Sequence, residues 1–252
     1  KDRVTQTALC RIIEPEIDKH FIYDSYACRI GKGTLKAANR ISYWINKSNT
    51  EYFLYGDIEH FFDSIDIQIL TELFKRHVKD KNILWLINII LESDNTKKGI
   101  KKGNRLSQLA ANIYLHEMDF YIKNVLHIKY YIRYMDDFII FSNNINKLKE
   151  YKYLISSFVE ESLGLKLNKR TCVGKTANGV SFVGYRISKI DKIIKKRCIN
   201  NSKQDFKLWK NNKISNPEFY RKTASRVGHC RGTSSYRWYC SYLLRITGIL
   251  LK

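Results

Sequence analysis

The sequence predicts an α+β fold, on three observations. Short runs rich in β-branched and aromatic residues, "EYFLYGDI" and "YIRYMDDFIIF", have the length and turn boundaries of strands. Long stretches between them place apolar residues at three- and four-residue spacing, as amphipathic helices do. The strands are joined by hairpins instead of alternating regularly with helices, which argues against a doubly wound parallel sheet.

Taken in order, "VTQTALCRIIEPEIDKHF" reads as one or two helices, interrupted by Pro15. A turn-rich stretch with Gly31 and Gly33 leads into an amphipathic helix from about residue 34. Residues 52–58 read as a strand, and Asp66 is a good N-cap for the helix "IQILTELFKRHV". "NILWLINIILES" is a short apolar helix. A basic loop, "DNTKKGIKKGNR", then opens the helix "SQLAANIYLHEMDFYIKNVL", with Ser107 as its expected cap. "KYYIRY" and "DFIIFS" form a β-hairpin whose bend carries Met135 and Asp136. A helix over about 147–163, a loop "GLKLNKRTCVGKTANG" and a strand "VSFVGYRI" follow. From Arg186 onward seventeen basic residues stand against three acidic ones, interleaved with aromatics, and this tail reads as a small basic helical subdomain. Trp209, Trp238 and Tyr242 are expected in its core.

At 252 residues the chain has room for one large domain or two to three small ones. Its net charge of +21 points to a polyanionic partner, nucleic acid before a membrane surface. No apolar run reaches the ~18–20 residues of a membrane span, and no secretory leader precedes the first helix; the expectation is a soluble intracellular protein. The six cysteines show no CxxC pair, which argues against a disulfide framework and a ribbon-type zinc site. His229 and Cys230 with Cys240 leave a three-ligand metal reading open beside that of free buried thiols.

Asp136 and Asp137 raise the central question: two adjacent carboxylates interrupt what is otherwise buried sheet. Asp57 ends another apolar strand. If the two strands are neighbours, three carboxylates converge, and their repulsion opposes folding unless a cation neutralises it. Magnesium favours carboxylate oxygens and keeps positions open for phosphate; two such ions about 4 Å apart suit nucleotidyl transfer. The competing reading is a polar turn, a common use of Asp.

The motifs resemble those of reverse transcriptases. "GDIEHFFDSID", "GNRLSQLAANIYL", "YMDD" and "FVGYRI" occur in that family's order, with "DSYACRIGKGTLKAA" similar to its fingers segment and "LGLKLNKRT" to the segment after the acidic hairpin. "GNRLSQ", with Gln108 where intron-encoded enzymes carry proline, is similar to the diversity-generating retroelement group, a relation of group II intron reverse transcriptases. The resemblance implies a right-hand polymerase fold: fingers over 1–50, incomplete at the N-terminus; a palm over 51–187, an antiparallel sheet with helices on one face, its residues 80–105 contributing to the fingers; and a basic helical thumb over 188–252.

It further implies an RNA-directed DNA polymerase using two Mg²⁺ ions, or Mn²⁺, held by Asp57, Asp136, Asp137 and the Ile58 carbonyl. Phe62 matches the aromatic that excludes a ribose 2′-hydroxyl. Lys1, Arg3 and Arg29 match triphosphate contacts, while Gly103, Ser107 and Gln108 fall where templating base and nucleotide meet. Arg170 or Lys169 takes the place of a general acid for pyrophosphate. Lys102 is the fidelity position and departs from the group, whose members carry there an aliphatic residue implicated in error-prone copying of adenines. The implied partners are an RNA template, a primer, deoxynucleotides, an oligomeric accessory protein and a structured RNA, without a membrane, in the cytoplasm of a bacterium or encoded by a phage. The alternatives are a group II intron-like or phage-defence reverse transcriptase, and a catalytically silent RNA-binding scaffold.

Overall fold

A computed structural model describes residues 2–47, 49–92 and 97–247, with side chains from 4 to 245. The chain forms two compact units, Lys1–Gly33 with Asn49–Gly174 and Thr34–Ser48 with Lys175–Lys252. In chain order the elements are α1 (Asp2–Asp18), α2 (Thr34–Ile45), β1 (Tyr52–Asp57), α3 (Phe61–Ser64), α4 (Ile67–His77), α5 (Lys81–Glu92) and α6 (Arg105–Phe120). A π-helical turn, Tyr121–Val125, extends α6; β2 (Tyr131–Tyr134), β3 (Asp137–Ser142), α7 (Ile145–Leu163) and β4 (Cys172–Lys175) follow. All of these except α2 build the first unit.

Pro15 lies three residues from the end of α1, where its missing N–H removes one late hydrogen bond, and the helix runs through it unbroken. Asp66 caps α4 as expected, accepting from the main-chain N–H of Gln68 at 2.9 Å and of Ile69 at 3.2 Å. The cap of α6 is Asn104 instead of Ser107: Asn104 is extended and its side chain accepts from the Ser107 N–H at 2.6 Å. Ser107 is thereby drawn into the first turn and buried.

The first unit's sheet has the order β2-β3-β1-β4, with β1 and β2 antiparallel to β3. Leu54, Tyr131, Phe138 and Ile140 join one core with Leu70 and Phe74 of α4, Leu109 and Met118 of α6, and Ile155 and Val159 of α7. Gly56 faces Phe138 across the ladder, and a Cβ there would lie 2.1 Å from the Phe138 ring. Only glycine lets that ring lie on the β1 backbone.

In the second unit, "VSFVGYRI" is a hairpin, as the resemblance of "FVGYRI" to a strand pair implies, and not the single strand that its alternation suggests. β5 (Val180–Phe182) and β6 (Tyr185–Ile187) flank Val183 at φ 41° and Gly184 at φ 91°. Two successive positive φ angles are the geometry that two-residue hairpins favour. β7 (Lys192–Ile194) adds a third strand, so the segment after residue 187 is not wholly helical. Three helices complete the unit, α8 (Lys196–Lys210), α9 (Asn216–Cys230) and α10 (Tyr236–Thr247). Their core is aromatic and polar: Trp209 stacks on Phe219 at 4.7 Å, Tyr239 bonds Ser202, and Asp205 pairs with Arg226 and, at 3.3 Å, with Lys222. Trp238 was expected in this core but is 51% exposed, stacked on Tyr242. α2, which the sequence places with the first fifty residues, groups with this unit and packs against β6.

Candidate active site

The site is built on the adjoining ends of β1 and β3. Asp57 is the register partner of Asp137, so the two carboxylates stand opposite each other on one face of the sheet. Asp136 occupies the two-residue corner between β2 and β3 with Met135, whose φ is 55°. Tyr55 is two residues before Asp57, on the same face by strand alternation, and its hydroxyl donates to the Asp137 carboxylate.

The charges act on each other as their placement requires. Burial, then Asp137, then Asp136 push the Asp57 carboxyl up to about 6, with Arg170 acting in the opposite direction. Burial, assisted by Asp137, also raises Asp136, against a backbone hydrogen bond and the fields of Arg133 and Lys102. The Tyr55 phenol is held protonated by burial and by its bond to Asp137. Desolvated acids that resist ionisation together form a site whose electrostatics favour a cation.

The segment 166–171 fixes the end of β1. Glu59 N–H donates to the Lys166 carbonyl at 2.8 Å and Asn168 N–H to the Asp57 carbonyl at 2.7 Å. The Asn168 side chain accepts from Arg170 N–H at 3.0 Å, a turn that sets an exposed Arg170 near Asp57. Ile58 forms an isolated bridge with Leu167.

On the other flank, Phe61 is buried in the core while Phe62 is half-buried against it. Residues 97–102 strap the helix that carries Phe62. Ile100 N–H donates to the Phe62 carbonyl at 2.9 Å, Gly99 N–H to the Ile65 carbonyl at 2.8 Å, and Lys102 pairs with Asp63 at 2.9 Å.

Arg29, Gly103 and Gln108 line a common cavity of about 400 Å³. Gly103 there has a φ of 95° and open space beside it. Arg29 departs from its expected part. Its N–H groups are all engaged, by the Asp18 carboxylate and carbonyl and by the Ile22 and Ser25 carbonyls, and its side chain is only 8% exposed. The guanidinium clamps the turn after α1 and offers a triphosphate no free donor. Gly103, Ser107 and Lys102 also line a larger cavity, about 610 Å³, beside α5. Lys1 lies outside the described residues, as does the side chain of Arg3.

Among the described residues no group of three or more His, Cys, Asp or Glu side chains is placed to hold a metal ion, so neither the expected trio Asp57, Asp136 and Asp137 nor His229, Cys230 and Cys240 forms one. For zinc that excludes a structural cage, which needs four closed ligands. Magnesium commonly uses one or two carboxylates and completes its shell with water and substrate phosphate. The facing pair Asp57 and Asp137, with Asp136 beside it, fits that second requirement.

Residues 1–187 match the family described as reverse transcriptase (RNA-dependent DNA polymerase). This chain belongs to the reverse transcriptase family. Among curated proteins, this reverse transcriptase is similar to the putative COX1/OXI3 intron 2 protein of Saccharomyces cerevisiae, 21% identical over 74% of this chain and 29% of that one. It is 37% identical to the group II intron-encoded protein LtrA of Lactococcus lactis, over 28% of this chain and 13% of the relative. Among solved structures, apo telomerase from Candida tropicalis superposes with a TM-score of 0.60 at 16% identity, over 80% of this chain and 44% of that one. Telomerase from Candida albicans, solved with a fragment of telomeric RNA, gives 0.61 at 12% identity, over 96% and 47%. The fold is the right-hand polymerase fold. The chain spans less than a third of the length of the curated relatives it matches first and under half of the solved ones.

Two side chains that bond to the acidic hairpin carried no assignment from sequence, Tyr55 and Arg133. Period-two alternation from Asp57 points to the first. A lone arginine inside a buried strand, the same kind of anomaly as the aspartates, points to the second.

Proposed function

We propose that the chain is an RNA-directed DNA polymerase that extends a primer on an RNA template by metal-assisted nucleotidyl transfer. The observation that carries this is the pairing of Asp57 with Asp137 on one sheet face, with Asp136 at the adjoining corner. Asp57, Asp137, Asp136 and the Ile58 carbonyl are the groups that would hold Mg²⁺ or Mn²⁺. Such ions, when bound, supply activation of the primer 3′-hydroxyl and charge stabilisation on the departing pyrophosphate. The Tyr55 hydroxyl orients one oxygen of Asp137. Phe62, strapped in place by residues 97–102, would be the ring that excludes a ribose 2′-hydroxyl. Arg170, next to Asp57, offsets negative charge as pyrophosphate leaves, with Lys169 beside it in sequence; a guanidinium's high pKa suits that electrostatic part better than proton donation. Residues 1–50 and 80–105 would serve as fingers, 51–187 as palm and 188–252 as thumb. The basic thumb would grip template and primer through phosphates without reading sequence.

Primer extension on an RNA template with Mg²⁺ tests the activity. Incorporation by the wild type that merely equals that of Asp136→Asn would overturn it.

For the element the enzyme serves, two readings have support. "GNRLSQ", with Gln108 in place of proline, favours a diversity-generating retroelement, in which an accessory oligomer and a structured RNA take part. The intron-encoded relatives favour a group II intron-like role. Sequencing the cDNA separates them, since random incorporation opposite template adenines belongs to the first and faithful copying to the second.

A further inference from the structure

Arg133 is the other charge inside the hairpin, and it lies on the opposite sheet face from the acids, one residue before Tyr134, the register partner of Asp137. Its side chain is fully buried against Asp119, which is equally buried. Nε donates to one Asp119 oxygen at 2.7 Å and Nη2 to the other at 2.6 Å. Tyr131 OH donates to the same carboxylate at 2.5 Å. The remaining nitrogen, Nη1, donates to Asn112 Oδ1 at 3.2 Å and to the Met135 carbonyl at 3.1 Å. Met135 is the corner residue at φ 55°, a conformation that costs an L-residue free energy and persists only where its surroundings enforce it. The strand itself is held from outside: Arg133 N–H donates to the Asp24 carbonyl, and its own carbonyl accepts from Tyr26 N–H, each at 3.0 Å.

A buried ion pair is generally no more stabilising than apolar residues of the same shape. Stability alone therefore does not explain why this sheet buries an arginine one turn from its acids. We infer that Arg133 is a positioning residue for nucleotidyl transfer, anchored on Asp119 from behind the sheet so that its bond to the Met135 carbonyl sets where the corner presents Asp136 and Asp137. The inference rests on the polymerase reading and extends it. Displacements of about 1 Å at reacting groups cost roughly 100-fold in rate, so a corner released from its anchor is expected to slow the chemical step while leaving binding intact.

Two variants separate positioning from folding. The triple replacement Arg133→Met, Asp119→Leu and Tyr131→Phe substitutes the whole polar cluster with apolar groups of similar size. Arg133→Lys keeps the charge opposite Asp119 but loses the forked donor set. Each is compared with wild type and Asp136→Asn for melting temperature, primer–template affinity, single-turnover rate and the Mg²⁺ concentration giving half-maximal rate. The expected result, in either variant that melts like wild type, is a single-turnover rate at least about 10-fold lower, a raised Mg²⁺ requirement and primer–template affinity within about 2-fold. A folded variant that keeps the wild-type rate and Mg²⁺ requirement overturns the positioning role. Should the triple replacement fail to fold, Arg133→Lys decides alone. Wild type no faster than Asp136→Asn removes the polymerase reading itself, a different outcome from an active wild type with equally active variants.

Discussion

Asp57 works against folding, and on the proposed polymerase reading it serves the chemistry. Its folded-state carboxyl titrates at about 6, above the unfolded value, so the native state holds more protons than the unfolded chain between about pH 4 and 6. The contribution of this group to stability is therefore full below about pH 4 and is lost as the pH rises through about 6. Asp57→Asn removes the ionised, desolvated group, and the metal-free variant is expected to melt higher than wild type at pH 7.5, with the difference vanishing near pH 4 in a calorimetric pH series. The same substitution is expected to lower primer extension by about 10³-fold or more, since a ligand that would hold the metal is lost. Phe62 supports a second prediction. Phe61 fills the core and Phe62 is half-buried against it, so on the polymerase reading Phe62→Val is expected to relax discrimination against ribonucleotides by about 10-fold or more, in kcat/KM for paired rNTP and dNTP substrates. Its melting temperature should change far less than that of Phe61→Val.

At the level of the element, the β1–β3 ladder depends on one glycine. Gly56→Ala would set a methyl into the Phe138 ring, which is itself fully buried and cannot swing away. The expected cost is about 1–3 kcal/mol, measured by denaturant unfolding, with activity falling further than stability because the same shift separates Asp57 from Asp137. Elements were legible from sequence where local chemistry decides them: the Asp66 cap, the hairpin around Met135 and the helices of period 3.6. They were misread where two local signals compete. Ser107 and Asn104 are both fair caps, and the choice depends on which backbone turns extended. "VSFVGYRI" alternates like one strand, and the Val183–Gly184 turn shows only once each half has a partner.

On the scale of the whole molecule, charge is the dominant property. Forty-five basic residues against twenty-four acidic ones give a chain whose nucleic-acid binding is expected to be governed by counterion release. Affinity for a primer–template duplex, followed by fluorescence anisotropy, should fall by at least about 100-fold between about 50 and 200 mM salt. A flat salt dependence would contradict the basic-thumb assignment. Much of the candidate site was legible in advance for a related reason. Asp57, Asp136 and Asp137 are anomalies, charges placed where the surrounding residues demand burial, and such anomalies are visible without coordinates. Arg29 shows the opposite case. A cation near the expected triphosphate site looks free in a sequence, and only the folded turn reveals Asp18 and two carbonyls engaging every donor.

What the sequence by itself determined is the inventory: α+β elements, an acidic hairpin, a basic tail and motifs in the order of reverse transcriptases. These follow from side-chain periodicity and charge, which are properties of neighbours along the chain. Tertiary structure alone decided that Asp57 and Asp137 occupy one register pair, that Arg133 is buried against Asp119 of α6, and that α2 joins the second unit. Each of those joins residues distant in sequence or on opposite sheet faces, and strand register and packing are set by the sum of many contacts, which no local pattern contains.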